Sequence, residues 1–247
     1  MVENKEKNII NKVVIVTGGS RGIGAEIVRQ LANENYKVVL NYNKSEQQAK
    51  QIKQELKQIA IFQADVSIRE EVKKLIDFTI QTYGTIDVLI NNAGIAQEKL
   101  FTDITDEDWQ QILDTNLNSV FYTTQEVLPE MINKKEGKII NISSIWGITG
   151  SSCEVAYSTT KAAINGMTKA LAKELGPSNI QVNSIAPGII NTEMNENLTN
   201  EDLEEIRQEI PLEKIGKPSD ISKCVKWLIE DEYTTGQIIS INGGWYI

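Results

Sequence analysis

The sequence has no histidine among its 247 residues. That absence excludes every mechanism built on an imidazole, including Ser-His-Asp and Cys-His nucleophilic catalysis, HExxH metalloproteases and His-ligated zinc. We therefore expect no metal site. Any chemistry must depend on tyrosine, lysine, serine, asparagine, carboxylates or a cofactor.

Cysteine is almost as scarce, since Cys153 and Cys224 are the only two and form no CxxC motif. Isolated thiols are typical of a protein from a reducing compartment. Residues 1–11 are polar and charged, without the apolar stretch of a signal peptide, and no apolar run approaches the roughly 18 to 20 residues that cross a bilayer. These features predict a soluble, cytoplasmic protein.

Positive charge is outnumbered: 25 Lys and Arg residues face 34 Asp and Glu residues, a net charge of −9. Such a chain repels nucleic acid and anionic membranes, so neither is expected as a partner. The 40% hydrophobic content is typical of a globular protein. Because no Pro/Gly/Ser-rich linker divides the chain, we predict a single domain over residues 1–247.

Strand and helix patterns alternate along the whole chain. Strands are predicted at residues 13–16, 37–40, 60–64, 86–90, 138–142, 180–185 and 236–241. Helices are predicted at residues 25–33, 45–58 and 157–175. Two more are predicted to start at a Ser67/Glu70 capping box and at Pro218. A long helix is predicted at 105–126, with Asp108 in a capping box at its start and Pro129 beyond its end. Repeated strand–helix–strand units predict an α/β fold, a doubly wound parallel sheet of about seven strands with helices on both faces.

A polar, helix-prone stretch at residues 191–216 interrupts this alternation. It follows the carboxyl end of the sixth strand, on the side where doubly wound sheets bind ligands. We interpret it as a substrate lid; an ordinary surface excursion is the alternative.

A glycine-rich turn, TGGSRGIG at residues 17–24, joins the first strand to the first helix. Such a turn lets backbone N–H groups and the positive end of the helix dipole approach a phosphate closely. Its position after the first strand predicts a dinucleotide site.

Tyr157 and Lys161 are four residues apart on a predicted helix and therefore share one face. A nearby ammonium favours the phenolate, so we expect Lys161 to lower the pKa of Tyr157 and fit it for acid–base chemistry. Ser144 follows the fifth strand, where its hydroxyl can donate to a carbonyl oxygen beside the tyrosine.

These motifs resemble, in their order along the chain, those of the classical short-chain dehydrogenases/reductases. The matching positions are the glycine turn, NNAG at residues 91–94, Asn116, Ser144, Tyr157, Lys161, and Pro187-Gly188 after the sixth strand. The resemblance spans residues 12–247 and implies a Rossmann-like fold with a nicotinamide cofactor.

The resemblance also implies a role for each catalytic residue. Tyr157 is expected to donate a proton, Ser144 to steady the carbonyl, Lys161 to serve the tyrosine and bind the nicotinamide ribose, and Asn116 to hold a water in a proton relay. Cofactor contacts are expected from Thr17, Gly18, Ser20, Arg21, Gly22, Ile23, Gly24, Asn43, Asp65, Val66, Asn92, Ala93, Gly94, Tyr157, Lys161, Pro187, Gly188, Ile190 and Thr192.

The nucleotide can be predicted from the end of the second strand. NAD sites usually place a carboxylate about 20 residues past the glycines, for the ribose 2′-OH. Residues 41–44 read NYNK instead, and Arg21 and Lys44 supply positive charge for a 2′-phosphate. NADP(H) is therefore the predicted cofactor; two solvated basic residues are the alternative.

The predicted substrate is a small-molecule or carrier-bound ketone. Within the family the chain most resembles bacterial 3-oxoacyl-[acyl-carrier-protein] reductases, which makes acyl carrier protein a candidate partner. The family's docking arginines align with Lys135 and Ser178, so only one charge is present. Residues 145–156 resemble the elongation factor P 5-aminopentanone reductases, with Trp146 and Glu154 able to shape a pocket for a cationic chain. A non-catalytic NADPH-binding regulator would be expected to have lost Tyr157 or Lys161.

The resemblance finally implies a homotetramer with two-fold axes. The interface would use the helices at 105–126 and 157–175 and the C-terminal segment. Apolar or small residues offered for it are Val120, Phe121, Ala162, Ala163, Ile164, Gly166, Met167 and Ala170. An alanine-rich monomer is the alternative.

Overall fold

A computed structural model describes residues 11–56, 58–196 and 198–247. Residues 1–10, which carry most of the segment used to exclude a signal peptide, lie outside the described residues. Lys57 and Asn197, each inside a segment predicted above, lie outside them as well. No helix in the described ranges is long and apolar enough to span a membrane.

Seven parallel strands form one sheet in the order β3-β2-β1-β4-β5-β6-β7. The strands are β1 Val13–Val16, β2 Lys37–Tyr42, β3 Ala60–Gln63, β4 Val88–Asn91, β5 Gly137–Ile142, β6 Ile180–Pro187 and β7 Ile238–Ile241. All residues of β1, β4 and β5 are buried, as expected of a sheet covered on both faces. The predicted doubly wound α/β fold is confirmed.

Nine α-helices in the described ranges connect these strands. They are α1 Gly22–Asn33, α2 Glu46–Glu55, α3 Arg69–Tyr83, α4 Asp106–Leu113, α5 Ser119–Lys134, α6 Trp146–Thr149, α7 Val155–Leu175, α8 Asn200–Glu209 and α9 Pro218–Glu230. Helices α1, α2 and α9 bury one apolar core against one face of the sheet. Helices α3, α5 and α7 bury a second core against the other face.

The strand order reverses direction at β1 and β4, which are neighbours. The connections that leave these two strands go to opposite faces, so a crevice opens beyond their carboxyl ends. The fold therefore places the loops after β1, β4, β5 and β6 around one opening.

Several predicted helix boundaries differ from those in the structure. Helix α3 has Ile68 as its N-cap, without a side-chain cap, because Ser67 Oγ instead donates to Asp65 Oδ1 at 2.6 Å. The helix predicted at 105–126 does begin with the Thr105/Asp108 capping box, but a π-helical turn at Asp114–Asn118 separates α4 from α5.

Pro129 lies inside α5 rather than beyond it. Proline removes one backbone hydrogen bond from a helix, and here its ring is exposed. Val127 and Met131 on either side of it are fully buried against the sheet, and this packing holds the helix together through the proline.

The stretch after β6 contains a short 3-10 turn, Glu193–Asn195, and helix α8. Thr199 caps α8 in a capping box with Asp202. Met194, Leu198 and Ile206 from this stretch line the opening beyond the sheet. We refer to residues 191–216 as the lid segment.

Candidate active site

The glycine turn lies at the crevice between β1 and β4. Gly18 and Gly22 have φ values of +61° and +52°, which favour glycine. A Cβ on Gly18 would lie 2.9 Å from Ala93 Cα, and one on Gly24 would lie 2.4 Å from the Gly18 carbonyl oxygen. Only glycine at these positions lets the turn lie this close to the loop after β4. The absence of side chains also leaves the N-terminus of α1 accessible to an anion.

Thr17 and Asn92 hold this turn in place. Thr17 Oγ1 accepts hydrogen bonds from the Asn92 and Ala93 N–H groups, both at 3.0 Å. Asn92 Nδ2 donates to the carbonyl oxygens of Thr17 and Gly18, both at 3.0 Å. Thr17 and Gly24 are buried behind the crevice rather than lining it, so their part in cofactor binding is to shape the turn.

At the end of β2, Asn41 joins the turn to the neighbouring strand. Its Oδ1 accepts from Gly18 N at 3.3 Å and its Nδ2 donates to the Ala64 carbonyl at 3.0 Å. Asn43 Nδ2 donates to Asp65 Oδ2 at 2.8 Å. Asn43 and Asp65 line one end of a cleft of about 1090 Å³. Arg21, Lys44 and Val66 line the same end.

The predicted catalytic side chains meet at the other end of that cleft. Ser144 follows β5, and its hydroxyl is close enough to Tyr157, near the start of α7, to favour the phenolate and lower the pKa of that tyrosine. Lys161 Nζ lies 5.4 Å from the centroid of the Tyr157 ring and donates to the Ile142 carbonyl at 2.9 Å. The structure thus brings Ser144, Tyr157 and Lys161 together as predicted.

Contrary to the expectation from the proximity of Lys161, the pKa of Tyr157 is not lowered, because burial outweighs the other influences. Burial, reinforced by the Glu154 carboxylate and opposed by the Ser144 hydrogen bond, raises the pKa of Tyr157 to about 12. Burial also lowers the pKa of Lys161 to about 8. Tyr157 is therefore a protonated phenol at neutral pH, which is the state that a proton donor requires.

Asn116 lies in the π-helical turn and is completely buried. Its Oδ1 accepts from Ile95 N at 2.8 Å and its Nδ2 donates to the Ile95 carbonyl at 2.9 Å. A Cβ on Gly94 would lie 3.2 Å from Asn116 Oδ1 and 3.6 Å from Lys161 Nζ. Asn116 thus fixes the loop that passes beside Lys161; the proton relay predicted for it stays a prediction.

The remaining predicted contacts lie between these two ends. Gly188 donates its N–H to the Ile241 carbonyl at 2.9 Å, which holds the segment after β6 beside β7. Ile190 and Thr192 line the cleft, and Thr192 lies against Gly22. Of the predicted site residues, Thr17, Gly24 and Asn116 stand behind the cleft, and the others line it.

Sequence reasoning missed Trp245, which lines the cleft beside Trp146. The position of Trp245 depends on how the C-terminal segment folds back, and no local motif signals that. The structure also places Glu154 in the cleft with Oε2 buried and without a hydrogen-bond partner. Burial and the charge of Glu98 raise the pKa of Glu154.

A glycine turn at a helix N-terminus and the group formed by Ser144, Tyr157 and Lys161 lie in one cleft, an arrangement typical of dinucleotide-dependent oxidoreductases. Comparison with known proteins agrees. The family model for short chain dehydrogenases matches residues 12–203. The chain therefore belongs to the short chain dehydrogenase family, and it is an oxidoreductase.

Several relatives match over nearly the full chain. A 3-oxoacyl-[acyl-carrier-protein] reductase FabG of Staphylococcus epidermidis is 39% identical over 96% of this chain and 100% of its own length. A FabG of Staphylococcus aureus is also 39% identical, over 96% of this chain and 99% of its own length. An uncharacterized oxidoreductase of Bacillus subtilis, YmfI, is 38% identical over 96% and 100% of the two chains.

Proposed function

We propose that this protein is a single-domain, cytoplasmic, NADPH-dependent ketone reductase of the 3-oxoacyl-[acyl-carrier-protein] reductase type. The observation that supports it best is the placement of Ser144, Tyr157 and Lys161 in one cleft with the glycine turn at the N-terminus of α1. The names of the Staphylococcus relatives support the same substrate class.

The residues present fit a nicotinamide dinucleotide. A Cβ on Gly18 or Gly24 would clash with neighbouring atoms, Gly22 has a left-handed φ, and this glycine turn leads into the N-terminus of α1. No carboxylate ends β2, while Arg21 and Lys44 line the adjacent part of the cleft. These positive charges support NADPH over NADH.

The mechanism follows from the positions of the side chains. When bound, the reduced nicotinamide supplies the hydride for the ketone carbon. Ser144 donates a hydrogen bond to the carbonyl oxygen, and Tyr157 transfers its phenolic proton to that oxygen as the alcohol forms. Lys161, held by the Ile142 carbonyl, stabilises the phenolate that remains. The tyrosine then regains a proton from water.

A second candidate is supported by Glu154 and Trp146. A buried carboxylate oxygen without a partner and an aromatic ring lie in the same cleft as Ser144. Both groups attract a cation. This pair supports an amine-bearing ketone, such as the modified lysine reduced by elongation factor P 5-aminopentanone reductases.

One experiment separates the two candidates. NADPH oxidation would be measured with 3-oxoacyl thioesters, free and attached to acyl carrier protein, and with elongation factor P carrying the ketone. We expect turnover of the thioesters, and Glu154→Gln should leave it nearly unchanged. Turnover of modified elongation factor P alone, lost in Glu154→Gln, would replace the first candidate with the second. No ketone reduction by either substrate class would refute both.

A further inference from the structure

Trp146 and Trp245 form an aromatic pair in the cleft. Their ring centroids are 5.2 Å apart with an interplanar angle of 67°, an edge-to-face contact. Both side chains line the cleft that also contains Ser144 and Tyr157. We refer to Trp146 and Trp245 as the tryptophan pair.

Trp146 is fixed to the catalytic residues. Its backbone N–H donates to Ser144 Oγ at 3.1 Å, and its ring packs in an apolar cluster that includes Tyr157. The next residue, Gly147, lies so close to Lys161 that a Cβ would be 2.7 Å from the lysine carbonyl carbon. The inner member of the pair therefore has a fixed position relative to the reacting carbonyl.

Trp245 is fixed instead to the lid segment. Its Nε1 donates to Oε2 of Glu209, the last residue of α8, at 3.2 Å. Gly243 accepts from Leu212 N at 3.1 Å through its carbonyl oxygen, and a Cβ on Gly243 would lie 2.7 Å from Ile210 Cγ2. The C-terminal residues and the lid segment thus form one wall of the cleft.

We propose that Trp245 is a specificity-determining residue that contacts the part of the substrate beyond its ketone. A substituent that extends from the carbonyl past Trp146 meets Trp245 next. Because Glu209 uses the indole N–H, the ring offers this substituent an apolar surface, which suits a methylene chain. The proposal depends on the proposed function only in taking a ketone as the substrate.

The test compares Trp245→Ala and Trp245→Phe with wild type on 3-oxoacyl thioesters of N-acetylcysteamine, from short to long acyl chains. Trp227→Ala is the matched control, because Trp227 is half exposed on α9 and outside the cleft. Relative to wild type, the loss of kcat/KM in Trp245→Ala should increase as the acyl chain of the substrate lengthens. The long-to-short ratio should drop about tenfold, the factor that corresponds to a lost aromatic contact of about 1.4 kcal/mol. The long-to-short ratio of Trp245→Phe should lie between the ratios of wild type and Trp245→Ala.

NADPH affinity and circular dichroism show whether each variant is folded. An unchanged long-to-short ratio in folded Trp245→Ala would overturn the proposal, as would an equal change in Trp227→Ala. If wild type reduces no thioester, the proposed function fails separately. Affinities for the corresponding 3-hydroxyacyl thioesters then test Trp245: a loss that grows with chain length supports the proposal, and equal affinities overturn it.

Discussion

Arg21 of the glycine turn forms an ion pair with Glu193 of the lid segment, with Arg21 Nη1 3.2 Å from Glu193 Oε2. Both side chains are about half exposed, at 56% and 48%. A ligand phosphate at Arg21 must therefore compete with the Glu193 carboxylate. The lid segment and the phosphate site are linked through this one guanidinium.

Glu193→Gln should tighten NADPH binding and leave NADH binding unchanged, because only NADPH brings a 2′-phosphate to Arg21. Exposed ion pairs contribute about 0.2–1 kcal/mol, so the gain should be roughly 1.4- to 5-fold in Kd. Fluorescence titration of both nucleotides measures it. Glu55→Gln, which alters the similar Arg29–Glu55 pair on the surface, should have no effect. An equal gain for both nucleotides would contradict the competition.

Arg21→Ala should weaken NADPH binding more than NADH binding. A charge-assisted contact with a phosphate is worth on the order of 1.5–3 kcal/mol, or roughly 10- to 150-fold in affinity. The ratio of the two dissociation constants measures this preference directly. Arg29→Ala, on the helix that follows Arg21, is the control. Wild-type constants that are equal for the two nucleotides would refute NADPH selectivity.

Tyr157→Phe should reduce turnover by at least about 10²- to 10⁴-fold, because the ring remains but the transferable proton is lost. NADPH affinity should survive in this variant, whereas Lys161→Ala should lose both turnover and affinity. Single-turnover NADPH oxidation and nucleotide titration separate these effects. Tyr233→Phe, at a fully exposed site, should behave as wild type. Near-normal ketone reduction by Tyr157→Phe would show that another group donates the proton.

Lys138 should make stability depend on pH. Burial lowers its pKa to about 8, against about 10.4 for an unfolded chain. Between these two pKa values the unfolded chain binds more protons than the folded chain. The contribution of Lys138 to the free energy of unfolding therefore increases as pH rises, and this gain is lost as pH falls through 8. From about pH 7.5 to 9.5, wild type should gain about 2 kcal/mol in free energy of unfolding relative to Lys138→Met. Urea denaturation measures it; exposed Lys223→Met should show no such change.

The outer face of α7 allows a test of the predicted tetramer. Val120 and Ile164, offered above for the interface, are buried within the chain at 3% and 1% and cannot form it. Gly166 is exposed, and a Cβ there meets nothing within 4 Å. Gly166→Leu should therefore fold but fail to associate if α7 packs against a partner.

Light scattering at micromolar concentration measures the outcome. Lys223→Leu is the control, because Lys223 is exposed on α9, away from the helices of the predicted interface. Wild type should have four times the chain mass, and Gly166→Leu a smaller mass with lower activity. A fully active wild-type species near 27.6 kDa would refute the link between assembly and catalysis.

Local signals predicted the parts of the fold that depend on neighbours in sequence. All seven strands and the Thr105/Asp108 capping box are present. The same capping signal at Ser67 and Glu70 failed because Asp65 takes the Ser67 hydroxyl, and Glu71 accepts the Asp65 N–H at 2.6 Å. A competing local acceptor decided the outcome, and spacing alone does not reveal it.

In the active site, too, the features set by nearby residues in the sequence were predicted and those set by distant segments were not. The sequence places Ser144 at a strand end and Tyr157 and Lys161 one helical turn apart, and these three side chains do meet. The pKa of Tyr157 depends on burial by distant segments, and the tryptophan pair depends on the path of the C-terminal residues. Such properties arise only when the whole chain has folded.

The π-helical turn at Asp114–Asn118 makes the position of Asn116 depend on the number of residues in that turn. The turn holds one residue more than an α-helical turn would. Because the extra residue fits within one turn, deleting it would give regular α-helical winding and keep Val127 and Met131 on the face that packs against the sheet. It would remove the widened turn that carries Asn116, whose side chain holds Ile95. A deletion in this turn therefore reaches the loop beside Lys161 without replacing any residue of the site.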